Sequence, residues 1–130
     1  MLKLVAILPF ATLAAVANAD VEIEDLSAQQ IQVIETFVTN ETSLPDRARV
    51  TGIVGTKARS GTVFACGYVS WIDGSGIYGP YRPFNGYLGV LRNGDTAFSV
   101  SEIGRDDEDG NRVGRNCGLH GIVLEPVANH

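Results

Sequence analysis

TVFACGYVSWIDGSGIYGPYRPF, residues 62–84, is the stretch that decides how this chain folds. Phe64, Cys66, Tyr68 and Ser70 alternate with Val63, Ala65, Val69 and Trp71. A period of two is the signature of a strand. Apolar groups on both parities mean that both faces are covered, which places the strand centrally in a sheet. The run stops at Asp73-Gly74-Ser75-Gly76, residue types that tolerate positive φ and mark a turn.

Reading outward, "GYLGVL" and "TAFSVSEI" flank Arg92-Asn93-Gly94-Asp95, and Asn-Gly between two β-like runs is a strong hairpin signal. On the N-terminal side a further β-like run, "RARVTGIVGT", is parted from the central strand by "KARSG". Before it, residues 20–44 have helical composition. Ser27 and Gln30 fit a capping box, and Ile31, Ile34, Phe37 and Val38 share one face. That spacing predicts a helix ending near Asn40, with Ile34 and Phe37 buried against the sheet. "GRDDEDGNRVG" reads as an acidic loop and "GIVLEPV" as a closing strand. The expectation is an α+β domain: an N-terminal amphipathic helix packed on a small, mostly antiparallel sheet of about five strands, with one disulfide.

Residues 1–19 read as a secretory signal peptide: Lys3, an apolar run over 4–16, then Ala17-Asn18-Ala19. The run is too short for a membrane span, which needs about 20 apolar residues. A single globular domain over 20–130 follows, periplasmic or secreted, in a host that reads as bacterial. The chain has 10 basic and 15 acidic residues, a net charge of −5, and loses Lys3 with the leader. Its arginines are scattered rather than clustered, which argues against nucleic acid as a partner. No membrane span is expected in the mature chain. The sequence leaves the oligomeric state open.

The two cysteines, Cys66 and Cys117, have one intramolecular pairing, and an exported protein meets an oxidising compartment. A Cys66–Cys117 bridge is therefore expected. Other uses of the cysteines fit the sequence less well. Cys117-Gly-Leu-His120 has metal-ligand spacing, but a blue-copper site needs an earlier second histidine, and a zinc site would draw on the terminal His130. Residues 105–116 imitate a calcium loop, yet Arg105 and Asn116 stand where carboxylates are required. A Cys-His nucleophile with His120 needs a free thiol. Glu102, Asp106 and Glu125 are acidic without being paired by any pattern. The expectation is thus no catalytic residue, no metal and no cofactor.

Phe64, Tyr68, Trp71, Tyr78, Tyr81, Phe84 and Tyr87 cluster in and after the central strand. Most are expected in the core. Trp71, Tyr78 and Tyr81, placed around the glycine-rich turn, are the candidate recognition surface. Cys66-Gly67-x-Val69, the glycine-rich turn and Gly79-x-Tyr81-x-x-Phe84 together resemble a group of small uncharacterised bacterial exported proteins. The sequence departs from that pattern at Ser70, where the group has Asn, and at Pro80 before the tyrosine. The resemblance implies export and a compact domain, and no activity. The functional expectation is an exported, non-catalytic binding or structural domain for an unknown protein or small ligand. The alternative is an enzyme inhibitor that presents the glycine-rich aromatic loop.

Overall fold

Three hairpin-like turns share one local geometry, and they set the order of the sheet. At Ala58–Gly61, Asp73–Gly76 and Leu91–Gly94 the glycine N–H donates to the carbonyl three residues earlier, at 2.8, 3.1 and 2.9 Å. Each of these glycines has positive φ, between 83° and 95°. That is the turn-plus-bulge closure in which glycine meets no Cβ penalty. The computed structural model describes residues 21–127, so the expected leader lies outside the described residues.

The strands are β1 (Val21–Glu24), β2 (Arg49–Ala58), β3 (Val63–Ser70), β4 (Arg82–Val90) and β5 (Thr96–Ile103). They form one sheet in sequence order, and every neighbouring pair is antiparallel. β3 is the middle strand. A register shift opposite Asn85 and Gly86 leaves Ser101 of β5 as a bulge. There a Cβ on Gly86 would sit beside the Ser99 carbonyl oxygen, so no larger residue fits.

Helix α1 (Ala28–Thr39) joins β1 to β2 and crosses one face of the sheet. Its start has both reciprocal capping bonds: the Gln30 N–H donates to Ser27 Oγ at 3.1 Å, and the Ser27 N–H donates to Gln30 Oε1 at 2.9 Å. Ile34 and Val38 are buried against Ala65, Val69, Phe84 and Phe98. Helix α2 (Asp107–Leu119) follows β5 and covers the opposite face, where Val113, Cys117 and Ile122 pack on Phe64 and Cys66. The alternation of β3 thus feeds two cores. Each fully enclosed large side chain is worth about 1.5–3 kcal/mol of apolar transfer.

The Cys66–Cys117 bridge is present, with Cα atoms 6.4 Å apart and both residues fully buried. It links the central strand to α2.

Four expectations need correction. The helix is not the first element: β1 precedes it, held by antiparallel pairing of all four of its residues with Gly55–Ala58 of β2. Phe37 is 37% exposed, since the sheet reaches only the Ile34–Val38 side of α1. The acidic segment is a helix. Asp106 caps it by accepting from the Asp109 N–H at 2.8 Å, and Asp107, Glu108 and Asp109 in the first turn complement the helix dipole. The final apolar run is not a strand, because Gly121, at φ 80°, reverses the chain directly after α2. The Ile122 N–H donates to the Cys117 carbonyl at 2.9 Å and the Gly121 N–H to that of Gly118 at 3.0 Å, closing a Schellman motif. Ile122 is thereby tucked beside the disulfide.

Candidate functional site

α2 carries glycine at 110, 114 and 118, four residues apart, so one side of the helix is bare backbone. At Gly110 the helix comes very close to the end of β5: a Cβ on Gly104 would lie 2.6 Å from the Gly110 Cα. Farther along, a Cβ at Gly114 or Gly118 would meet nothing within 4 Å. The space above them is a groove of about 500 Å³. Its far wall comes from Tyr68 on β3 and from Pro80, Tyr81 and Pro83, and Ile122 to Leu124 close one end. The prolines restrict φ on either side of Tyr81 and hold that wall extended. Across the groove, Arg82 Nη1 meets Asp107 Oδ1 at 3.0 Å. The Asp107 side chain is fully exposed, so this pair contributes little stability and can exchange partners.

Burial, and then the nearby Glu125 charge, push the Tyr68 hydroxyl above its usual pKa. Tyr68 therefore stays a neutral donor and acceptor at physiological pH. The groove offers two phenol rings, proline faces, the Asn111 amide and one guanidinium–carboxylate pair.

The expected recognition residues divide between different places. Tyr81 lines the groove. Trp71 is half-buried and packs on the α1-side core. Tyr78 is half-buried beneath the Arg49 guanidinium, 3.5 Å from its ring centroid. Trp71 and Tyr78 instead brace the turn between them: the Gly79 N–H donates to the Trp71 carbonyl at 3.0 Å, and Ile72 bridges to Tyr78. At the turn itself, Asp73 Oδ1 accepts the Ser75 hydroxyl and the Ser75 N–H, bonds that hold its carboxyl below the usual carboxylate range. Ile77 projects from this pinned loop, 68% exposed.

The other acid and histidine candidates are engaged elsewhere. Glu102 Oε1 accepts from the Asn116 and Asn85 amides, each at 2.8 Å, and Oε2 accepts from Arg112 Nε at 3.2 Å. Led by the Asn116 bond, these donors keep its carboxyl ionised below the ordinary range. Asn85 Oδ1 is buried without a hydrogen-bond partner among the described residues. His120 forms the C-cap of α2 and stacks on Phe64, centroids 3.7 Å apart. Its Nδ1 lies 3.0 Å from the Asn116 carbonyl, which can only accept, so Nδ1 donates, and Nε2 lies 3.4 Å from the Tyr87 hydroxyl. Asp106 is committed to capping. Glu125 stands exposed in the C-terminal segment. With both sulfurs in the bridge, the Cys-His nucleophile and the cysteine-ligated metal sites lose their ligating or attacking atom.

Sequence reasoning missed Tyr68 and the glycine side of α2 as groove residues. The four-residue glycine spacing was visible, but in a segment read as loop it carried no facial meaning. Compared with family models, with curated proteins and with solved structures, the chain matches none.

Proposed function

We propose that this is a small exported domain, akin to the bacterial exported proteins it resembles, that binds a ligand without transforming it. The ligand lies in the groove between α2 and Tyr68 and Tyr81. The observation that carries the reading is the open glycine side of α2 facing two tyrosines across about 500 Å³. That volume falls within the roughly 300–1,000 Å³ usual for ligand sites. A leader peptide and a disulfide both suit the periplasm or the extracellular space. Among the described residues no helix is long and apolar enough to cross a membrane. The lining suits a compact ligand with a flat apolar face and hydroxyl or amide edges, which the rings cover and the polar groups orient.

The test is an NMR screen of saccharides and short peptides against the oxidised protein, repeated with Gly114→Ala. Hits should shift Tyr68, Tyr81 and Gly114 resonances. Gly114→Ala should weaken them at least about tenfold while stabilising α2 by about 1 kcal/mol, since alanine favours helix. Hits that leave these resonances unmoved would sink the groove reading.

A second reading, an enzyme inhibitor, is supported by the exposed Ile77 on its pinned loop. It is favoured if Ile77→Asp abolishes partner capture and Gly114→Ala does not.

A further inference from the structure

The two edges of the sheet are built differently. β1 is four residues long, alternates two glutamates with its apolar residues and is followed by Asp25. Short, charged edges are poor templates for another strand. β5 is eight residues long, with neither proline nor lysine. Its one charge, Glu102, is bonded to Asn85, Asn116 and Arg112. Among the described residues no segment pairs with the outer side of β5. Its one irregularity is the bulge at Ser101.

Opposite charges flank this open strand. Asp95 immediately precedes it and Arg105 follows its end. Both residues are exposed, and neither makes an ion pair among the described residues. We propose that β5 pairs antiparallel with β5 of a second copy, continuing the sheet across a two-fold axis. Antiparallel apposition carries the Asp95 end of each copy to the Arg105 end of the other, so the attraction occurs twice. Parallel pairing would set like charges together, and an unrelated strand would gain the backbone bonds without the matched ends. Val90 and Leu91, 74% and 51% exposed, stand at the Asp95 end and supply apolar area that strand pairing alone lacks. None of these residues lines the groove, so this pairing stands or falls independently of ligand binding.

Sedimentation equilibrium of the purified, oxidised protein from micromolar to millimolar concentration tests the proposal. A concentration-dependent dimer is expected, weakened by added salt. Arg105→Asp or Asp95→Arg alone should weaken it by about tenfold or more, because each turns two attractions into two repulsions. The double variant Asp95→Arg/Arg105→Asp should restore it. Both sites are exposed, and circular dichroism checks that each variant is folded. A monomer at every concentration overturns the proposal. So does a dimer indifferent to both single swaps, or a double variant no tighter than either single one.

Discussion

Removing the disulfide tests how α2 is held. Cys66 and Cys117 are separated by 51 residues, and the chain-entropy relation assigns such a closure about 4 kcal/mol. Domains of this size have roughly 5–15 kcal/mol in total. The helix at one end of the bridge is intrinsically weak: Gly110, Gly114 and Gly118 each disfavour it by about 1 kcal/mol relative to alanine. What offsets this is burial of Val113, Cys117 and Ile122 on Phe64 and Cys66, with the bridge at the centre of that cluster. Cys66→Ala/Cys117→Ala should therefore lower unfolding free energy by about 4 kcal/mol and the melting temperature by roughly 15–30 °C. The loss should also be uneven. Amides of Asp107–Leu119 should exchange much faster than those of β3, because the helix can open while the α1-side core of Ile34, Val38, Phe84 and Phe98 persists. Urea unfolding followed by Trp71 fluorescence gives the global figure, and native-state hydrogen exchange gives the local one. A change below about 1 kcal/mol, or α2 amides as protected as in the bridged protein, would refute the reasoning.

Two further outcomes follow from burial and charge. Ile34→Ala should destabilise by about 2–5 kcal/mol and Phe37→Ala by less than Ile34→Ala, since Ile34 is fully enclosed and the Phe37 ring is not; equal losses in denaturant titrations would mean α1 sits differently on the sheet. The folded-state carboxyl of Glu102 lies below its usual range, so its stabilisation is complete above that range and is lost as pH falls through the folded value. Glu102→Gln should accordingly lower stability at neutral pH and flatten the acid limb of the stability curve; acid limbs that stay parallel to the native protein's would remove Glu102 as a cause.

Local signals determined much of this protein. The capping box and 3.6-residue period of α1 arise from contacts a few residues apart, so they can be read without knowing the fold. Apolar groups on both parities of residues 63–71 place β3 in the middle, because only a central strand has two faces to bury. "TAFSVSEI" coincides with β5, and Asn93-Gly94 closes its hairpin with β4. A pair of cysteines allows one bridge, and that bridge forms. Tertiary structure decided whether α2 holds, and with it the C-terminal segment and the groove. A segment with three glycines and few apolar residues carries only its Asp106 cap and acidic first turn as local helix signals; the disulfide to Cys66 and the packing of Val113 in the Phe64 cluster, both reaching residues far away in sequence, hold it on the sheet. Once α2 existed, Gly121 ended it and kept "GIVLEPV" from forming a strand, since the Schellman closure engages backbone groups that a strand would need. The groove exists only between α2 and the β3–β4 wall, so its residues share no local pattern: Tyr68 and Gly114 lie far apart in the chain and meet only because the helix folds back across the sheet.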